Sequence, residues 1–351
     1  MKKTMLLILA LALIAGIFAG CAGTPVIYYT NCTCPGGSHG NPTTPPVLKD
    51  GAVKTGLAII TSLKDSENAK HANYDVTVVA VTVDDAGVIH DCIIDSVGTK
   101  VTFDATGTIT ADLNAQIPTK NELGDDYGMV NYGGAKYEWY KQAEALANYA
   151  VGKTVDELKN GAIDETGKAP AGSDLASTAT IYLGGYVGAI EEAVKNAKHL
   201  GAVSGDELKL AINNSISGSA SATAEKNGTA QLDCDVTALT VKDGVITSCT
   251  IDSVQAKVSF DATGTITTDL TAPVQTKNQL GEAYGMVAWG GAKFEWNEQA
   301  ASFAAYVTGK TAAEVAGIAV SEGKPADADL AASVTIAIGG FQALIQKALG
   351  A

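Results

Sequence analysis

Two periodicities alternate along this chain, a period of two followed by a period of 3.6. YDVTVVAVTV (74–83) alternates apolar with polar, turns at Asp84-Asp85-Ala86-Gly87 and returns as VIHDCIIDS (88–96). Alternating runs around a glycine-closed turn predict a β-hairpin. A second, shorter hairpin is predicted where KVTF (100–103) and TITADL (108–113) flank Asp104-Ala105-Thr106-Gly107. Gly107 would take the left-handed position of that turn. Beyond residue 135 the period lengthens. KYEWYKQAEALANYA (136–150) sets Trp139, Ala143, Leu146 and Ala150 on one helical face. Thr154 and Glu157 form a capping-box pattern at the start of a short helix. Residues 180–197 end as an amphipathic helix, with Val187, Ile190, Val194 and Ala197 opposite Glu191, Glu192 and Lys195.

The whole succession then recurs. VTFDATGTIT (101–110) returns as VSFDATGTIT (258–267), 157 residues later. TKNELGDDYGMV (119–130) returns as TKNQLGEAYGMV (276–287), GGAKYEW (133–139) as GGAKFEW (290–296), and Thr154 with Glu157 as Thr311 with Glu314. CDVTALTV (234–241), a Lys242-Asp243-Gly244 turn and VITSCTIDS (245–253) repeat the first hairpin, and Gly264 repeats Gly107. A solenoid unit is about 20–50 residues long, so this period marks a duplicated domain. Hairpins first and helices after predict an α+β class: two tandem homologous domains, each an antiparallel sheet followed by packed helices. The expected boundaries are 55–198 and 199–351.

Upstream of the first repeat the pattern is lost. Lys2 and Lys3 precede an apolar stretch from Met5 to Phe18, too short to span a bilayer comfortably, and Phe18-Ala19-Gly20 precede Cys21. This resembles a bacterial lipoprotein signal. The resemblance implies a signal peptide over 1–20, a diacylglycerol on Cys21 and anchoring at the extracytoplasmic face of the cell membrane. Two acyl chains suffice for stable anchoring. Residues 21–54, rich in Gly, Pro, Thr and Asn, read as a flexible tether. Within it Cys32 and Cys34 have only His39 nearby, too few ligands for a metal site.

Composition narrows the partners. The net charge is −14, and loss of Lys2 and Lys3 with the signal leaves −16. That field repels nucleic acid and anionic lipid surfaces. Cys92 and Cys249 occupy equivalent strand positions, and Cys234 and Cys249 are not opposite in the predicted hairpin, so no disulfide is expected. The Asp-Ala-Thr-Gly turns carry too few carboxylates for calcium.

The chemistry-bearing signal lies near the end of each repeat. Asp174, Ser177, Ala179 and Thr180 stand in order before the last helix of the first repeat, and Asp329, Ser333 and Thr335 in the second. This order resembles the FMN-binding domain family of flavinylated extracytoplasmic electron-transfer proteins. Members end in Asp-x-x-Ser-Gly-Ala-Thr, and a flavin transferase esterifies FMN phosphate to the threonine. The resemblance implies one or two FMN groups, on Thr180 and Thr335, and electron transfer from a membrane donor. Thr178 stands where the motif has glycine, and Ala332, Ser333 and Val334 stand where it has Ser-Gly-Ala. The alternative is a flavin-free cell-surface binding or structural lipoprotein that keeps the fold.

A second duplicated constellation, Tyr127, Gly128 and Met129 with Tyr284, Gly285 and Met286, reads either as a loop flanking a flavin ring or as core plugs. Trp139 and Trp296 read as core, with Lys136 and Lys293 exposed. Lys120 and Lys277 are kept cations that would meet a phosphate or solvent. No Gly-x-Ser-x-Gly, His-Glu-x-x-His, Walker A or Cys-x-x-Cys-His pattern occurs, and the four histidines lack counterparts between copies. An electron carrier or binding protein is thus expected rather than a turnover enzyme.

Overall fold

A computed structural model describes residues 51–351. The signal peptide, Cys21, Cys32, Cys34 and all but the last residues of the tether lie outside the described residues. The first repeat is a three-stranded antiparallel sheet of β1 (Lys54–Ser62), β2 (His71–Val83) and β3 (Ile89–Thr102), in that spatial order. Five helices follow: α1 (Lys120–Leu123), α2 (Trp139–Ala150), α3 (Val155–Ala162), α4 (Asp174–Thr178) and α5 (Gly184–Asn196). The second repeat runs β4 (Glu207–Ser215), β5 (Gly228–Lys242), β6 (Val245–Phe260), α6 (Lys277–Leu280), α7 (Trp296–Val307), α8 (Ala312–Ala316), α9 (Ala328–Ala331) and α10 (Gly339–Leu349). A two-residue ladder of β7 (Val320–Ser321) and β8 (Lys324–Pro325) sits between α8 and α9. The class is α+β.

The predicted hairpins are β2–β3 and β5–β6. At the second turn both Asp243 (φ 51°) and Gly244 (φ 78°) are left-handed, the conformation that matches strand twist. Three details differ from the sequence pattern. The run 100–103 does not begin a new hairpin, because β3 continues through Thr102 and only single bridges, Phe103 to Ile109 and Phe260 to Ile266, close the following turns. Each sheet also opens with an edge strand, β1 or β4, that lacks alternation. Finally, the closing helix starts at Gly184 rather than 180, and Asp174–Thr178 forms its own turn, N-capped by Ser173.

Burial explains the layers. On β2, Tyr74, Val76, Val78 and Ala80 point to one face, and Val79 and Val81 to the other. The second face packs on Trp139, Leu146, Leu158 and Ile190 of the first helical layer. In the other repeat Leu239 and Ile251 pack likewise on Trp296, Phe303 and Leu344. The remaining faces of both sheets meet in one shared core that includes Tyr74, Val78, Phe103, Leu232, Val236 and Phe260. The order across the molecule is therefore helices, sheet, sheet, helices. Edge strand β1 lies beside β6, and β3 beside β4. Thr55 Oγ1 and Ser248 Oγ, 2.7 Å apart, form a buried hydrogen bond across the first of these seams.

The best-kept decapeptide sits where the copies meet. The Phe103 and Phe260 rings stack with centroids 4.0 Å apart and planes 3° from parallel. Around them the contacts are reciprocal. Ala69 N donates to Gly264 O (2.7 Å), and Ala222 N to Gly107 O (2.8 Å). Ile109 N donates to Ser221 Oγ, and Ile266 N to Asn68 Oδ1, both at 2.9 Å. A Cβ on Gly107 would stand 2.7 Å from Asp261 O, and one on Gly264 2.5 Å from Asp104 O. This is a self-complementary contact of the kind a two-fold axis generates.

Candidate functional site

The motif threonines are held by a buried glutamine. Gln142, on α2 and fully buried, accepts at Oε1 from Thr180 N (2.8 Å), Thr180 Oγ1 (3.1 Å) and Ile181 N (3.1 Å), and donates from Nε2 to Tyr137 O. Gln299 does the same for Thr335 and Ile336, with matching distances. Asp174 opens α4, and Ser177 Oγ donates back to Asp174 O. Ala179 is buried, whereas Thr180 is exposed. In the second repeat Asp329 lies in α9, and Ser333 Oγ donates to Leu330 O. Lys136 Nζ reaches Ser177 O (3.1 Å), and Lys293 Nζ reaches Ala332 O (3.3 Å).

Against a flavin phosphate this arrangement fits in one respect and fails in another. Thr180 is exposed in a fixed loop, and its hydroxyl would become an attachment point on giving up its hydrogen bond to Gln142. The amides of residues 180 and 181, the donors nearest a phosphate there, are instead spent on Gln142. The amides of residues 335 and 336 are likewise spent on Gln299.

The Tyr-Gly-Met segments build a different feature. Residues 124–127 and 281–284 are single 3₁₀ turns, each closed by a left-handed glycine, Gly128 (φ 81°) or Gly285 (φ 82°). Met129 and Met286 pack against the helical cores. Buried Glu138, just before α2, accepts from Met129 N and Val130 N at 2.8 Å each, and Glu295 accepts from Met286 N (2.9 Å) and Val287 N (3.0 Å). On the loop so fixed, Tyr132 is 91% exposed and Trp289, its counterpart, 83%. Each ring lies over its glycine: a Cβ on Gly128 would meet Tyr132 Cδ2 at 2.5 Å, and one on Gly285 would meet Trp289 Cε3 at 2.3 Å. Val130 and Val287 are exposed beside them. The repetition of residues 119–130 and 133–139 had signalled a kept loop, but the pair Tyr132 and Trp289 fell in the gap between matching strings.

Lys120 and Lys277, half-buried, lie over aromatic rings. Their ammonium groups lie 5.2 and 5.1 Å from the Tyr127 and Trp139 ring centres, and 5.4 and 4.8 Å from those of Tyr284 and Trp296. Such cation–π contacts clamp the start of α1 and α6 onto α2 and α7. Trp139 and Trp296 are core, as the pattern predicts. Beside the clamps lie two carboxylates, buried Asp95 and half-buried Asp252. Burial pushes both up to about 6, although nearby hydroxyl and amide donors hold them back. Asp95 faces a cleft of about 320 Å³ between the repeats, together with Asn121, Ile212 and the Glu122–Lys347 ion pair.

Sequence reasoning also missed a polar clasp between the first hairpin turn and the inter-repeat linker. His90 Nδ1 is 3.1 Å from Ser204 Oγ, and His90 Nε2 is 3.3 Å from Asp84 Oδ2. Asp85 pairs with Lys54 (2.7 Å) and His199 (3.0 Å), contacts that hold its carboxyl below the usual range. Ser, His and Asp stand in the order of a hydrolytic triad, but Ser204 N donates to Gly51 O and is not free to stabilise an oxyanion. Among the described residues the thiols of Cys92, Cys234 and Cys249 are free and pushed upward by burial, so they are poor nucleophiles. Among the described residues no cluster of metal-ligating side chains occurs, and no helix is long and apolar enough to cross a membrane. No family model, curated protein or solved structure matches the chain.

Proposed function

We propose that this chain is an extracytoplasmic, lipid-anchored binding protein that presents one aromatic recognition platform on each repeat. The observation that carries this reading is the pair Tyr132 and Trp289. Two large aromatic rings are left in solvent at equivalent positions, on loops whose backbones are fixed by buried carboxylates. A rigid ring loses little entropy when it binds, which makes such residues effective anchors. Cosedimentation of the mature chain with protein-stripped bacterial envelopes tests it. The Tyr132→Ala/Trp289→Ala double variant is expected to keep the fold and lose retention. Undiminished retention would remove the platforms from the function.

A second reading is favoured by Thr180, an exposed residue in its Asp174, Ser177, Ala179 context. In that reading the protein carries FMN covalently and passes electrons outside the cytoplasm. Flavin, when bound, supplies the redox chemistry, and this chain supplies attachment and environment. Intact mass after co-expression with a flavin transferase tests it: an FMN adduct absent from Thr180→Ala supports the reading, and unmodified wild type rejects it.

A further inference from the structure

We infer that the two platforms bind an uncharged polysaccharide, with the faces of its pyranose rings laid on Tyr132 and Trp289. This rests on the platform reading above and names its ligand.

Four observations point to that chemistry. First, the exposed surface is a flat ring over a glycine rather than a cleft. A pyranose presents a face of C–H groups that packs on such a ring, while its hydroxyls stay in water. Second, the chain is strongly acidic, and Asp125, Asp126 and Glu282 are exposed on the turns leading into the loops. A carboxylate accepts hydrogen bonds from sugar hydroxyls and repels an anionic polymer. Third, the copies keep the ring, the glycine, the valine and the clamping glutamate, but change the polar neighbours Asn131 to Ala288 and Asp126 to Ala283. A partner read by its polar pattern would distinguish the two sites; one read by ring faces would not.

The fourth observation concerns geometry. Met129 belongs to the first helical layer and Met286 to the second, and these layers lie on opposite sides of the paired sheets. The two platforms thus belong to different layers rather than to one packed unit. A polymer of repeating units can occupy both, and occupation of both raises avidity.

The test uses the mature chain titrated with cellohexaose and with chitohexaose. Tryptophan emission reports on Trp289, the exposed indole beside buried Trp139 and Trp296. The expected result is an emission change with at least one saccharide and a calorimetric stoichiometry of two. Tyr132→Ala or Trp289→Ala should lower the stoichiometry to one, and the double variant should bind at least tenfold more weakly. Trp289→Phe, which keeps a ring, should restore the second site. Wild type that binds neither saccharide overturns the proposal. If Trp289 then responds to phosphatidylcholine vesicles, the platform reading stands and the glycan is wrong. If saccharide binds but the double variant binds as well as wild type, both readings fail.

Discussion

Phe103 and Phe260 occupy the same position in the two repeats and stack on each other in the shared core, 4.0 Å apart. Each copy's sheet thereby has its inner face covered by the other's. Replacing either phenylalanine by alanine is expected to cost about 3–5 kcal/mol. Because the rings are in contact, the double variant should cost less than the sum. Urea unfolding followed by circular dichroism should show one transition in wild type, since neither repeat can bury its inner sheet face alone. Two separate transitions would contradict a shared core.

Gly107 provides a controlled comparison. At φ 66° an alanine is strained, and its Cβ would also strike Asp261 O of the other repeat. Gly87 has φ 83° with open space around it. Gly87→Ala should cost about 1 kcal/mol from backbone strain alone, and Gly107→Ala clearly more. Equal midpoints in thermal denaturation would mean that the turn contact yields freely.

How much of this was legible in the sequence depends on what each residue answers to. β2 and β3 were readable because their runs flank a glycine-closed turn, and α2 because its apolar residues recur at helical spacing on one face. The α4 turn was not, since Asp174–Thr178 is short and takes its cap from Ser173. β1 and β4 were hidden for a different reason: KTGLAIITS has helix on one side and the other sheet on the other, so it shows no clean alternation. The decapeptide 101–110 could be read as a turn, but its partner across the axis is set by tertiary contact. The same holds for the motif threonines, because nothing local reveals that Gln142 and Gln299 take up the amides. Among the candidate site residues, proximity in sequence predicted the Tyr127-Gly128-Met129 turn well and the exposed ring at 132 not at all.

Asp95 and Asp252 should make stability depend on pH. Both sit at about 6 when folded, above the roughly 4 of an unfolded aspartate. The folded chain therefore binds protons more readily than the unfolded chain between these values. This contribution is full below about pH 4 and is lost as the pH rises through 6. Its size is about 3 kcal/mol per group. Asp95→Asn/Asp252→Asn should flatten that part of the profile relative to wild type, measured as urea midpoints from pH 4 to 7. Parallel profiles would place the titration elsewhere.

Glu138 positions a platform without touching a ligand. Glu138→Gln leaves one of its two amide partners facing an NH₂ group, at a cost of about 1–3 kcal/mol. Amides 129–135 should then exchange hydrogen faster, while 286–292 keep the wild-type rate. Unchanged exchange at 129–135 would show that the glycines alone fix the loop.

The way the chain enters the fold has a mechanical consequence. Val53 N donates to Ala202 O, Thr55 pairs with Lys198, and Ala52 bridges Val203, so the first strand is bonded on its outer edge to the linker that leads into the other repeat. A pull on the N-terminus is therefore divided at once between β2 and that linker. Load applied at one end of the chain reaches both halves before either sheet is sheared, and the duplicated fold bears tension as a single body.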